Sequence, residues 1–257
     1  MQRSSVFLPI TRAAAGVKPL AQSVLNFIYP PRCLACGDDA VIGRGLCGPC
    51  FADTHFLSGA ACDSCGQALH GRADSIQHCE ACRRYPKAWG RAAAALAYTG
   101  TGRRIILAFK HGDRVDMAPQ LATWLARNGA ELLAKADIIA PVPLHWRRTM
   151  KRRYNQSAEL VRHLPAGPTT TRLYTLLTRP VATISQDGLS RADRQENLRG
   201  KITVRPQHAA RIKGAHVLLV DDVMTTGATL SAATEACFTA GAASVNVLVV
   251  ARVAPPE

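Results

Sequence analysis

From about residue 91 the chain alternates short apolar runs with stretches whose apolar positions recur at helical spacing. That alternation predicts an α/β fold, a mostly parallel sheet flanked by helices. Ala92–Tyr98 reads as a strand, after which Gly100 and Gly102 turn the chain. Met117–Ala134 has a helical pattern, and Asp137–Val142 is a strand ending at Pro141-Val142-Pro143. Gln156–Leu164 reads as helix and Arg172–Thr178 as strand. Residues 179–200 are polar and arginine-rich with no buried period. Gly214–Asp222, a helix to about Ala240, and Ser244–Ala251 close the series as a strand-helix-strand unit.

The first ninety residues follow another pattern. Leu20–Tyr29 predicts a helix broken by Pro30-Pro31. Before it, Arg3, Arg12 and Lys18 stand among scattered apolar residues without the apolar core of a secretory signal. No run approaches the length of a membrane span, so we expect a cytoplasmic protein with no membrane insertion. Three segments are expected: a leader and helix at 1–28, a cysteine module at 29–88, and an α/β domain at 89–257.

Eight of the nine cysteines form Cys-x-x-Cys pairs: Cys33/Cys36, Cys47/Cys50, Cys62/Cys65 and Cys79/Cys82. Two such pairs on a short hairpin make one tetrahedral Zn²⁺ site, and a module this small needs metal to fold. The economical grouping is sequential, 33/36/47/50 and 62/65/79/82, giving two structural zinc sites in a double ribbon; a crossed pairing remains open. Disulfides would need an oxidising compartment, and redox pairs would hardly come four at a time. His55, His70 and His78 lie among complete four-cysteine sets and are read as surface residues. Cys237 falls in the apolar pattern of a helix and is read as core.

The formal net charge is +14. Most of the excess lies beyond residue 90; residues 1–90 carry nine Lys/Arg against six Asp/Glu, and four thiolates on each zinc would cancel that small positive balance. Electrostatics alone therefore does not nominate the ribbons for binding nucleic acid.

The most informative stretch is Val217-Leu218-Leu219-Val220-Asp221-Asp222-Val223-Met224-Thr225-Thr226-Gly227-Ala228-Thr229. An apolar strand runs out into two adjacent carboxylates, then a small hydroxyl-rich loop opens a helix. Ligands of open α/β sheets bind at the carboxyl ends of strands. The loop can aim backbone N–H groups and hydroxyls at a phosphate, aided by the helix N-terminus. The carboxylates can accept from sugar hydroxyls or hold hydrated Mg²⁺. A nucleotide-triphosphatase reading would need a Gly-x-x-x-x-Gly-Lys-Ser/Thr loop, yet Gly200-Lys201 is followed by Ile202. The stretch resembles the phosphoribosyl-pyrophosphate (PRPP) motif of type I phosphoribosyltransferases, hydrophobic-hydrophobic-Asp-Asp-x-x-x-Thr-Gly-x-Thr. The resemblance implies that Asp221 and Asp222 face ribose, and that Thr225, Thr226, Gly227, Ala228 and Thr229 hold the 5′-phosphate of PRPP, with Mg²⁺.

A second constellation is Pro141-Val142-Pro143-Leu144-His145-Trp146-Arg147-Arg148, followed by Lys151, Arg152, Arg153, Asn155 and Gln156. Its cations concentrate positive field on a strand-to-helix connection, and arginine forks suit phosphate oxygens. Together with Lys110-His111-Gly112-Asp113 and Gln186-x-x-Leu189-Ser190-Arg191-x-x-Arg194-x-x-Asn197, this run is similar to the ComF family. That family consists of competence-associated, amidophosphoribosyltransferase-like proteins whose cysteine module is entered here through Tyr29-Pro30-Pro31-Arg32-Cys33. The resemblance implies pyrophosphate contacts from Arg147, Arg148, Lys110 and Arg191, and a role in DNA uptake during natural transformation.

Two functions stay open at this level. One is a phosphoribosyltransferase acting through positioning and charge stabilisation, with no catalytic residue assigned. The other is a non-catalytic, zinc-dependent protein that binds single-stranded DNA or docks an uptake helicase, using the phosphate site as a sensor. Aromatic residues are 5% of the chain, too few for an extended stacking platform. Trp146 and Tyr154 are the stacking candidates.

Overall fold

In a computed structural model, residues 32–40, 45–71, 76–111, 114–144, 154–180 and 200–254 are described. Five parallel strands form the central sheet: β1 (Ala92–Ala97), β2 (Ile138–Pro141), β3 (Thr171–Arg172), β6 (His216–Met224) and β7 (Ser244–Arg252). Their order is β1-β7-β6-β2-β3. A separate antiparallel pair, β4 (Leu177–Thr178) and β5 (Thr203–Val204), brackets the arginine-rich stretch.

The sheet is buried on both faces, which is why β6 and β7 read as continuous Val/Leu runs. One apolar cluster joins α3 (Gly100–His111), α4 (Ala118–Asn128), α5 (Ala130–Ala134) and α6 (Gln156–His163) to Leu218, Val220, Leu248 and Val250. The other joins α7 (Ala209–Ile212), α8 (Ala228–Thr239) and the β4/β5 pair to Val217, Leu219, Val247 and Val249.

The cysteine module divides between these faces. Its two short helices, α1 (Gly48–Ala52) and α2 (Glu80–Arg84), each begin just after a cysteine. Cys33 and Cys50 belong to the first cluster; Cys62, Cys65 and Cys82 belong to the second. The chain between the ribbons runs along the open side of β1, with Leu57 N–H donating to Ala95 O at 2.9 Å and Ala97 N–H to His55 O at 2.9 Å. Alanine is a poor strand former; β1 is nearly all alanine because backbone comes so close. A Cβ on Gly66 would lie 2.8 Å from Ala94 N.

Several expectations shift. The run Met117–Ala134 is two helices, parted at Gly129, where the Asn128 side chain donates to the carbonyls of Leu57 and Ala94. Arg172–Thr178 is two short strands joined by a turn. Gly100 and Gly102 do not simply turn the chain but open α3, whose first N–H groups are capped from ribbon one. Asp53 accepts from Thr101 N–H at 2.9 Å and Thr101 Oγ1 at 2.6 Å. A cap supplied from 48 residues away leaves no local signature. Finally, β6 does not stop at Asp222. It stays paired with β7 as far as Met224↔Arg252, whereas its pairing with β2 ends at Pro141↔Val220.

The predicted helix at 20–29 lies outside the described residues, as do His145, Trp146, Arg147, Arg148, Lys151, Arg152, Arg153, Arg191 and Arg194.

Candidate functional site

The early end of β2 makes the site. Among the described residues, the central strand beyond Val220 has a neighbouring strand on one side only, and the two carboxylates sit in that notch. Asp221 Oδ1 accepts from the Asp222 N–H at 2.8 Å and from Ser157 Oγ at 3.0 Å. Ser157 is presented by the first turn of α6, which Asn155 caps by accepting from Ser157 N–H at 3.0 Å. Asp222 is buried, and its Oδ1 lies 3.0 Å from Lys110 Nζ at the end of α3. Lys110 is thus placed on the acidic pair, within reach of whatever the pair binds.

The two acids are not equivalent. Desolvation, then the like charge of Asp222, pushes Asp221 up from 3.8 to about 7, against the opposing pull of its hydrogen bonds and of Lys110. Asp222 has the ammonium beside it. A carboxylate that changes state near neutrality beside a second carboxylate and a lysine is an arrangement typical of functional sites.

Beyond β6 the backbone turns at Gly227, with φ of +85°, and α8 begins. The turn needs glycine twice over, for this left-handed conformation and because a Cβ would lie 2.7 Å from the Trp89 ring. Two cations hold the loop from behind. Arg252 Nη1 donates to Thr225 O at 2.7 Å and Met224 O at 3.1 Å, and Lys87 Nζ donates to Thr226 O at 2.8 Å. With these carbonyls held by donors, the loop turns N–H groups and threonine hydroxyls outward, continuous with the first turn of a twelve-residue helix. An edge of this kind can cradle an anion. Thr225 at its rim is exposed; Thr226 and Thr229 are half-buried, and Gly227 and Ala228 are buried.

Sequence reasoning did not single out Ser157, Lys87, Trp89 or Arg252. Only Arg252 left a signal, as a lone charge ending a buried apolar strand.

The eight paired cysteines gather in the sequential sets 33/36/47/50 and 62/65/79/82, all sulfurs of a set within 4.8 Å of one another. A tetrahedral zinc with bonds of about 2.3 Å sets its sulfurs about 3.8 Å apart. Cys36–Cys47 and Cys65–Cys79 stand at 3.6 and 3.7 Å. The donor geometry fits zinc, and no fifth donor or open position is required of these structural sites. In the first set burial opposes ionisation of Cys33, but backbone N–H groups of Cys47, Cys36 and Ala35 bring it down to about 6. Burial pushes the ninth thiol, Cys237, up to about 12, as befits an inert core residue.

Comparison with known proteins agrees with this layout. Competence protein F of Haemophilus influenzae is 30% identical over 81% of this chain and 90% of its own length. The chain belongs to the ComF family. A DNA utilization protein of Escherichia coli K12, YhgH, is 29% identical over 87% of the chain and 97% of its own length. The double zinc ribbon domain matches residues 24–83, and the phosphoribosyl transferase domain residues 161–256. The four-cysteine sets thus fall in the double zinc ribbon, and both Asp221-Asp222 and the loop fall in the transferase domain. Among solved structures, an allosteric regulatory enzyme of purine biosynthesis aligns at 17% identity and a TM-score of 0.35, covering 56% of this chain and 30% of that one. No helix among the described residues is long and apolar enough to cross a membrane.

Proposed function

We propose that this ComF protein binds PRPP with Mg²⁺ at the carboxyl end of β6, in the service of handling incoming DNA. The observation that carries the reading is the juxtaposition of an acidic pair, in the notch left by β2, with a cation-backed anion cradle. Asp221 and Asp222 accept from the ribose hydroxyls. Residues 225–229 hold the 5′-phosphate, and Lys110 turns from Asp222 toward the pyrophosphate. Arg147, Arg148 and Arg191 contribute further cations from outside the described residues. Zinc supplies folding free energy at the ribbons and no chemistry. The names of the relatives, a competence protein and DNA utilization proteins, support the link to DNA uptake. Single-stranded DNA and an uptake helicase are the partners this reading proposes, in the cytoplasm. Transfer of the phosphoribosyl group is the activity expected if an acceptor enters beside the ribose.

Calorimetric titration of PRPP into the zinc-loaded protein, with and without Mg²⁺, tests the reading. Saturable, Mg²⁺-dependent binding that Asp221→Asn/Asp222→Asn abolishes is the expected result. Binding that survives the double substitution would remove the ribose assignment.

A further inference from the structure

The two ribbons reach different parts of the site, and among the described residues only the second touches the anion cradle. Ribbon two does so along two routes. Ser64 lies inside the Cys62–Cys65 knuckle, and its carbonyl accepts from Trp89 Nε1 at 2.8 Å. The Trp89 ring then packs on Gly227, at the apex of the loop. On the second route the Arg252 guanidinium, buried to 4% exposure, donates to the carbonyls of Met224, Thr225 and Val253. The same guanidinium is a hydrogen-bonding neighbour of the Cys65 side chain. Ribbon one makes its polar contact elsewhere, through Asp53 at the start of α3.

We propose that the second ribbon is a positioning element for the anion cradle, with Trp89 and Arg252 as the positioning residues that transmit the shape of the Cys62–Cys65 knuckle to residues 224–229. A metal-filled ribbon two fixes its knuckle, so Ser64 O and Cys65 Sγ present a rigid platform. Trp89 and Arg252 stand on that platform and hold the loop carbonyls away from the anion. Loss of metal at this site loosens the loop while β6 and the acidic pair keep their places. The second zinc is therefore a determinant of anion affinity, whereas the first is a determinant of α3.

The inference rests on the proposed PRPP reading only in its ligand arm. Hydrogen exchange of the amides of residues 224–230 is measured in the full zinc-loaded chain for wild type, Trp89→Phe, Arg252→Lys, Cys79→Ser and Cys36→Ser, alongside zinc content and PRPP affinity. Trp89→Phe keeps a ring over Gly227 but removes the donor to Ser64, so zinc should stay at two per chain. Its loop exchange should rise roughly fivefold to tenfold, the worth of one hydrogen bond, and PRPP affinity should fall by a similar factor. Cys79→Ser should accelerate the loop further, and Cys36→Ser should leave it unchanged. Should Arg252→Lys fail to fold, Trp89→Phe decides alone. Unchanged loop exchange in Trp89→Phe, or equal acceleration by Cys36→Ser and Cys79→Ser, would overturn the proposal. If wild type fails to bind PRPP, the functional reading falls while the exchange data still decide this one.

Discussion

Asp221→Asn should make the protein more stable at alkaline pH while disabling its site. The carboxyl titrates near 7 in the folded protein against 3.8 ordinarily. Below 3.8 the group is neutral in both states and costs nothing. Between 3.8 and about 7 the native state holds a proton that the unfolded chain has lost, so stability declines as pH rises. Above 7 the full cost of a desolvated carboxylate beside Asp222 is present. About three pH units at roughly 1.4 kcal/mol each bound that cost near 4 kcal/mol.

Residue 221 is partly exposed, so solvent screening cuts that bound by about half or more, while the bonds from Ser157 and the Asp222 N–H already act within the shift. A net gain of about 1–2 kcal/mol at pH 8 remains, or roughly 3–6 °C in melting temperature for a chain of this size. At pH 5.5 about half of the gain should remain, since the wild-type carboxyl is then largely protonated in the fold. Thermal melts of wild type and variant at both pH values, with zinc saturating and no PRPP, supply the measurement. A variant melting at or below wild type at pH 8, or gaining equally at both pH values, would refute the argument that desolvation dominates at Asp221.

The same titration governs the ligand. If ribose or Mg²⁺ engages the ionised pair, PRPP affinity should tighten about tenfold per pH unit up to pH 7 and then level off; a flat profile from pH 5.5 to 8 would assign the ligand elsewhere. Lys110→Met removes the cation from Asp222, so the midpoint of that profile should move up by about one unit, and an unmoved midpoint would separate Lys110 from the acids. Gly227→Ala forces a left-handed alanine into the Trp89 ring and should cost at least about 1–2 kcal/mol. It should reduce PRPP binding while leaving two zincs per chain, as metal analysis with calorimetry would show.

The sequence disclosed the parts of this molecule that depend on local periodicity. The Val/Leu runs of β6 and β7, the α8 pattern and the four Cys-x-x-Cys pairs were all legible because each is set by neighbours in the chain. What was illegible depends on contacts across it. α3 was hidden because its cap, Asp53, arrives from ribbon one, and two glycines at its start disguise it. The extension of β6 past Asp222 depends on its continued pairing with β7, out to Met224↔Arg252. The acidic pair and the loop were legible as a motif, but their supports Ser157, Lys87 and Trp89 were not, since nothing in a lone serine, lysine or tryptophan announces its partner.

The arrangement of the ribbons bears on whether residues 89–257 form a domain that stands alone. Chain topology favours independence, since all five sheet strands lie beyond residue 91. The packing argues against it. β1 is an edge strand whose outward N–H and C=O groups meet the backbone of residues 55–63, and both apolar clusters are completed by cysteines and leucines of the module. Removing residues 1–88 would bare an alanine edge able to pair with another chain and would strip Leu34, Leu46 and Leu57 from the two cores. Burying one such leucine contributes about 1.5–3 kcal/mol, and a domain's whole stability is about 5–15 kcal/mol. The fragment 89–257 is therefore expected to aggregate or to melt without cooperativity. Full-length protein stripped of both zincs should approach the same behaviour, because without metal the module loses its own fold. A soluble fragment with a sharp thermal transition would show that the ribbons merely lie on a finished sheet, and the coupling between the second ribbon and the cradle would then have to survive in a contact the domain does not need.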